Sequence, residues 1–223
     1  MKKTELAAYI DHTVLKADTT QDTVKRICQE ARECGFAAVC INPSYVDFAS
    51  RELSGSSVKV CTVVGFPLGA NTTSVKVYEA TQAIKAGASE IDMVMSIGAF
   101  KSGNFDTVER EIQEVVLNTT KIKGSSIVKV IIEACYLTDA EKVIACKLSK
   151  NAGAHFVKTS TGFGSGGAEI HDVRIMHETV GGHLGIKAAG GIGSYSKAVS
   201  MIEAGATRIG ASAGLKIIAD ANG

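Results

Sequence analysis

The chain has 223 residues, a formal net charge of +1 and 45% hydrophobic residues. This size and composition are typical of one globular domain, and they exclude a disordered or fibrous protein. Because positive charge is hardly in excess, the chain does not have the basic surface needed to neutralise a row of phosphates, and nucleic acid is not expected as a partner. A local site for one phosphorylated small molecule stays open.

Six cysteines are present, and none is part of a Cys-x-x-Cys motif. The spacing predicts neither structural zinc nor a thioredoxin-type redox pair, and the five histidines show no metal-ligand spacing. The apolar stretch at residues 6–10 is too short for a signal peptide, and the uncharged segment 60–75 is interrupted by Gly65, Pro67 and Gly69, so no membrane span is expected. We therefore expect a cytoplasmic protein with reduced thiols and no metal.

A repeated unit gives the chain its organisation: a helical stretch, a glycine and a short apolar strand, seen around Gly35, Gly87, Gly153 and Gly205. Glycine is typical just after a helix end, and a buried strand following it completes half of a βα repeat. The pattern predicts eight strands, at 10–13, 37–41, 59–64, 90–95, 127–134, 156–158, 185–187 and 208–210. Predicted helices include 73–86, 105–119, 138–151 and 194–204.

Eight alternating strands and helices in this length predict an α/β fold, a (β/α)₈ TIM barrel, as a single domain over residues 1–223. An open doubly wound sheet is the alternative. That fold usually has fewer strands and carries a Gly-x-Gly-x-x-Gly turn after the first strand, which this sequence lacks. The barrel is therefore the favoured fold.

Strand alternation sorts side chains between the two faces of a barrel. If the apolar positions face outward to the helices, the inward positions of strands four to seven include charged residues: Asp92, Lys129, Glu133, Lys158 and Lys187. Buried charges cost several kcal/mol each unless they are paired. For Lys129 and Glu133, a buried ion pair and a functional role are equally open.

Lys158 and Lys187 end adjacent predicted strands, where their like charges would repel each other. A neighbouring cation lowers the pKa of an amine, and a neutral lysine attacks carbonyl carbons to form Schiff bases. Asp92 could move protons in such a reaction, directly or through a water. Together these residues predict Schiff-base chemistry on an aldehyde or ketone.

Glycine-rich loops follow the seventh and eighth strands, where barrels frequently bind phosphate through backbone N–H groups. Gly190 and Gly191 lie in the first loop and Ser212 in the second. A third such loop, 159–167, follows Lys158 and could close over the same ligand. Two further residues in these regions are candidates, Thr159 and Gly162. Cys40 ends the second strand, where it either lines the pocket or is a plain buried thiol.

Five segments, in order along the chain, closely resemble the deoxyribose-phosphate aldolase family: IDHTVLK at 10–16, VCINP at 39–43, EIDMV at 90–94, FVKTSTGF at 156–163 and GIKAAGGI at 185–192. The resemblance implies a class I aldolase on a (β/α)₈ barrel that needs no cofactor. Such enzymes reversibly cleave 2-deoxy-D-ribose 5-phosphate to D-glyceraldehyde 3-phosphate and acetaldehyde, within deoxyribonucleoside breakdown.

The same resemblance implies a role for each matching residue. Lys158 is the Schiff-base lysine, Lys187 the lysine that perturbs it, and Asp92 the proton donor and acceptor. Asp11 belongs to a supporting polar network. The expected phosphate-binding residues are Gly190, Gly191 and Ser212.

Two positions depart from the family pattern. Many members have a second serine where this chain has Ala213, which removes one expected phosphate contact, and some members end in a tyrosine that this tail lacks. Other interpretations are an isomerase, a transaldolase-like enzyme, or a non-catalytic barrel that binds a sugar phosphate. A homodimer is compatible with any of them.

Overall fold

The computed structural model describes residues 1–221, in which eight parallel strands form a closed barrel. The strands are β1 (Ile10–Val14), β2 (Ala38–Ile41), β3 (Lys59–Val64), β4 (Glu90–Val94), β5 (Ile127–Ile131), β6 (Phe156–Lys158), β7 (Gly185–Ala189) and β8 (Arg208–Ala211). Because β1 pairs with both β2 and β8, the predicted barrel is confirmed and the open sheet was wrong. The end of the predicted domain, Asn222 and Gly223, lies outside the described residues.

Within the described part of the chain, ten α-helices accompany the strands: α1 (Lys3–Ala7), α2 (Gln21–Cys34), α3 (Val46–Glu52), α4 (Thr73–Lys85), α5 (Ile97–Lys101), α6 (Phe105–Ile122), α7 (Asp139–Asn151), α8 (Ile170–Val180), α9 (Tyr195–Glu203) and α10 (Gly214–Ala219). Helix α2 shows how the repeated unit works. Thr20 caps its first turn by accepting a hydrogen bond from Thr23 N, and Gly35 ends it in the left-handed conformation at φ 68°.

The two faces of the barrel have different surroundings. Outward residues such as Val128, Val130, Ile132 and Ile186 are buried in the main core between the strands and the helices. The inward-facing apolar residues of β2 and β3 form a separate small cluster of Ala38, Cys40, Cys61 and Val63. This confirms the sorting of side chains by alternation and places the charged inward residues at the centre of the molecule. No helix within residues 1–221 has the length and apolar character needed to cross a membrane.

Strand β5 ends three residues earlier than predicted, at Ile131. Glu133 has a left-handed backbone, φ 50° and ψ 67°, which a strand cannot contain, and a 3₁₀ turn begins at Ala134. Hydrogen bonds to β6 still continue beyond the strand, because Ile132 N donates to Lys158 O and Ala134 N to Thr159 O. The Glu133 side chain therefore leaves the barrel interior at its carboxyl end.

Candidate active site

Asp92 is the centre of a buried ionic network inside the barrel. Its Oδ2 accepts hydrogen bonds from Lys158 Nζ at 2.8 Å and Lys187 Nζ at 2.7 Å, and its Oδ1 accepts one from Lys129 Nζ at 2.9 Å. Asp92 is on β4 and the three lysines are on β5, β6 and β7, so neighbouring strands bring all four side chains to one point. The predicted inward lysines and Asp92 thus lie together.

A second set of charges lies deeper in the barrel, towards the amino ends of the strands. Asp11 forms ion pairs with Lys187 at 2.5 Å and Arg208 at 2.7 Å. Glu90 pairs with Lys129 at 2.5 Å and with Arg208 at 3.1 Å. Asp11 is therefore linked to Asp92 through Lys187, and its supporting role stays a prediction.

Glu90 and Arg208 belong to this network although neither was predicted as a site residue. Strand alternation could have predicted both positions. Glu90 is two residues before Asp92 and Arg208 is two before Gly210, and residues two apart lie on the same face of a strand. Lys129 does not form the buried ion pair with Glu133 that the sequence left open. It pairs with Glu90 and Asp92, while Glu133 turns away, so the proposed Lys129–Glu133 ion pair was wrong.

The network strongly favours the charged forms of Asp11, Asp92 and Lys187. Burial opposes ionisation of Asp11, but the charges of Lys187, Lys129 and Arg208 outweigh it and lower its pKa to about 2. Burial likewise opposes ionisation of Asp92, yet three lysines hold its pKa well below the ordinary value. For Lys187, burial is outweighed by Asp11 and Asp92, and its pKa lies well above that of a free lysine.

A cavity of about 580 Å³ opens at the carboxyl ends of the strands, and Lys158 reaches its floor. Asp92, Lys129 and Lys187 do not line this cavity. Lys158 is only 2% exposed, so nearly all of its side chain is packed in the barrel although the residue lines the cavity. Among the three lysines on Asp92, Lys158 is therefore the one that a molecule in the cavity would touch.

The predicted phosphate residues lie on one side of the same cavity. Gly190, Gly191 and Ser212 line it, together with Ala213 at the position of the missing serine. Gly190 and Gly191 have φ of 93° and 70°, so the loop turns in a way that favours glycine. This geometry leaves backbone N–H groups and one hydroxyl near a shared space, as an anion site requires.

The loop after Lys158 contributes Gly162 but not Thr159 to the cavity wall. Thr159 is fully buried, and its hydroxyl donates to Ala189 O and accepts from Ala189 N, both at 3.1 Å. These bonds join the ends of β6 and β7. Thr159 is predicted to bind substrate, but its hydroxyl is already hydrogen-bonded within the fold.

Cys40 belongs to the barrel interior and does not line the cavity. Its sulfur, the Cys61 sulfur and an Asp92 oxygen lie within 4.8 Å of one another, as do ligand atoms of Asp11, Cys61 and Glu90. The ammonium nitrogen of Lys129 already lies among these groups. It is 3.3 Å from Cys61 Sγ and forms ion pairs with the carboxylates of Glu90 and Asp92. A metal in either cluster would have to displace this ammonium group.

Comparison with known proteins agrees with this geometry. Residues 6–220 match the DeoC/LacD family aldolases. A deoxyribose-phosphate aldolase from Caldanaerobacter subterraneus subsp. tengcongensis is 59% identical over 213 residues, which cover 96% of this chain and 92% of that protein. One from Clostridium tetani is 56% identical over 214 residues, covering 96% and 98%.

Solved structures give the same result. The deoxyribose phosphate aldolase from Aeropyrum pernix, described as a tetramer, is 34% identical with a TM-score of 0.91, over 98% of this chain and 91% of that one. An aldolase designated QR15 is 41% identical with a TM-score of 0.90, over 97% and 95%. With a family match over nearly the whole chain and relatives of this identity, the chain belongs to the DeoC/LacD family of aldolases.

Proposed function

We propose that this aldolase reversibly cleaves 2-deoxy-D-ribose 5-phosphate to D-glyceraldehyde 3-phosphate and acetaldehyde through a Schiff base on Lys158. The main support is that Lys158, of the three lysines bonded to Asp92, is the one that lines the cavity. Relatives named for this substrate and a glycine-lined wall suited to phosphate support the choice of substrate.

The chemistry follows from an amine beside an aldehyde. Neutral Lys158 adds to C1 of the open-chain sugar, and loss of water gives an iminium. As the C3 hydroxyl loses its proton, the C2–C3 bond breaks and its electron pair moves into the iminium. Glyceraldehyde 3-phosphate leaves and an enamine remains on Lys158. Protonation at C2 and hydrolysis then release acetaldehyde and restore the amine.

The ion pairs around Asp92 join more cationic side chains than carboxylates. The buried network holds four cationic side chains (Lys129, Lys158, Lys187 and Arg208) and three carboxylates (Asp11, Glu90 and Asp92). With all of them ionised, one positive charge is left over in a buried site, which is unfavourable. The Asp92 carboxylate, hydrogen-bonded to Lys158 Nζ, is in place to accept the proton that Lys158 must give up before it attacks a carbonyl.

Reductive trapping tests the proposal. Incubation with acetaldehyde and borohydride, followed by peptide mass mapping, should place one ethyl group on Lys158, and Lys158→Met should abolish both the adduct and sugar cleavage. An isomerase would need no covalent lysine and would give no such adduct. Cleavage in the wild type with no adduct on Lys158 would contradict the Schiff-base mechanism.

Metal independence is a separate expectation, because the iminium supplies the electron sink that a metal would otherwise provide. Cleavage of deoxyribose 5-phosphate should be unchanged after prolonged chelation and dialysis. The assay compares treated and untreated enzyme, with zinc added back to a third sample. Activity lost on chelation and restored by zinc would assign the chain to the metal-dependent aldolases instead.

Assembly and location are part of the same proposal. We infer a homodimer, supported by large apolar side chains exposed near one another in sequence, Leu68 at 73% and Tyr78 at 66%. A cytoplasmic location is supported by six cysteines that are all free. Light scattering coupled to gel filtration, and fractionation of cells that express the chain, test the two inferences.

A further inference from the structure

Glu133 is a buried carboxyl that the proposed reaction does not use. It is 2% exposed and forms no ion pair within residues 1–221. Its hydrogen bonds come from a single residue: Thr161 N donates to Oε1 at 3.0 Å, and the Thr161 hydroxyl donates to Oε2. A buried carboxyl with no cation is costly, and its bonds to this loop are therefore the evident compensation.

The backbone at Glu133 gives a second, independent observation. Of the non-glycine residues in the described part of the chain, Glu133 alone has a positive φ, at 50°. Such a conformation is strained and persists only where the surroundings enforce it. Its effect here is to direct the carboxyl away from Lys129 and towards the loop that follows Lys158.

The loop segment that Glu133 holds is a wall of the cavity. Thr161, Gly162 and Phe163 all line it, and the Thr161 hydroxyl also accepts a hydrogen bond from Phe163 N at 3.0 Å. Phe163 packs edge-on against Phe66, with ring centroids 5.3 Å apart. Glu133 therefore bonds directly to Thr161 and is linked through the Thr161 hydroxyl to Phe163 N, two residues of this cavity wall.

We propose that Glu133 is a positioning residue for the sugar phosphate: through Thr161 it holds the segment from Thr161 to Phe163 against the part of the substrate beyond C2. This inference rests on the proposed function. Lys158 and Thr159 are held separately, by Asp92 and by Ala189. Loss of the Glu133 contact therefore weakens binding of the long substrate and leaves imine formation with acetaldehyde intact.

Two variants remove the contact from its two sides, Glu133→Gln and Thr161→Val. Each should raise the KM for deoxyribose 5-phosphate about tenfold or more, the scale of a hydrogen bond to a charged group. Borohydride trapping of acetaldehyde on Lys158 should stay within about twofold of the wild-type rate. Thr161→Ser keeps the hydroxyl and should restore most of the affinity, which a general loss of packing would not allow.

A double-mutant cycle gives the decisive result. Because both single variants break one interaction, Glu133→Gln combined with Thr161→Val should be no worse than the poorer single variant. Additive losses, an unchanged KM, or a trapping rate that falls as much as the affinity would overturn the inference. Absence of cleavage in the wild type would instead reject the proposed function. Near-ultraviolet circular dichroism of each variant shows whether it is folded. If Glu133→Gln is not, the comparison of Thr161→Val with Thr161→Ser carries the test, and equal KM values for these two variants would overturn the inference.

Discussion

Lys187 does not line the cavity that Lys158 reaches, yet it shares one oxygen of Asp92 with the proposed nucleophile. Its ammonium group also pairs with Asp11, and both carboxylates raise its pKa well above the ordinary value, so it stays charged throughout the neutral range. A permanent cation at this place competes with a protonated Lys158 for Asp92. The structure thus adds a shared carboxylate to the like-charge repulsion that the sequence indicated.

Replacing Lys187 by Leu tests this competition. The variant leaves Asp92 Oδ2 to Lys158 alone, which favours the protonated amine, so trapping with acetaldehyde at pH 7 should slow by about tenfold or more. Raising the pH should recover part of the loss. The measurement is the trapping rate against pH for both proteins. If the two profiles rise at the same pH, Lys187 does not control the protonation of Lys158.

Ser212 supplies the hydroxyl on the proposed phosphate side of the cavity. Ser212→Ala should lower kcat/KM for deoxyribose 5-phosphate by about ten- to hundredfold, because a hydrogen bond to a charged group contributes about 1.5–3 kcal/mol. Cleavage of unphosphorylated deoxyribose should hardly change. Ser57→Ala, at an exposed position just before β3, is the matched control. Equal losses for both substrates would mean that Ser212 supports the loop rather than the phosphate.

At the scale of strands and loops, the sequence predicted the direction of a side chain correctly where that direction depends only on neighbouring residues in the same strand. Alternation placed Asp92, Lys158 and Lys187 inside the barrel because each strand needs only its own apolar face to set its orientation. The end of β5 was missed because it depends on Thr161, a residue from the loop after β6. No pattern within residues 127–134 contains that information.

Helices α4 and α6 show a second contact that sequence patterns do not reveal. Lys76 on α4 is fully buried, and its Nζ donates to Glu111 Oε1 on α6 at 2.8 Å and to Val94 O at the end of β4 at 2.9 Å. Burial lowers the pKa of Lys76 and raises that of Glu111. This pair joins two helices to the strand that carries Asp92.

Removing one member of this pair should be more harmful than removing both. Lys76→Met leaves the Glu111 carboxyl buried without its cation and should lower the free energy of unfolding by about 3–5 kcal/mol. The double variant Lys76→Met with Glu111→Gln should recover part of that loss, since no charge is then left unpaired. Urea unfolding of the wild type, both single variants and the double variant measures the effect. Additive losses would show that each residue acts independently.

For the whole molecule, the ionic network is both the reactive centre and part of the interior packing. Its members come from β1, β4, β5, β6, β7 and β8, so it can form only when the barrel closes. In the unfolded chain the same groups titrate as isolated side chains. The difference between the two states makes folding stability depend on pH.

The final prediction concerns that dependence in acid. The pKa of Asp11 is about 2 in the folded chain against an ordinary value of 3.8, so its stabilising contribution is complete above about pH 4. It is lost as the pH falls from about 4 to about 2, and this carboxylate accounts for about 2 kcal/mol of the loss. The raised pKa of Lys187 acts only in strong alkali, since its contribution is complete below the ordinary lysine value. Urea unfolding at stepped pH should therefore show a steep loss below pH 4 that is shallower in Asp11→Asn and unchanged in the exposed control Asp18→Asn. A wild-type slope retained in Asp11→Asn would show that the acid sensitivity arises elsewhere in the network.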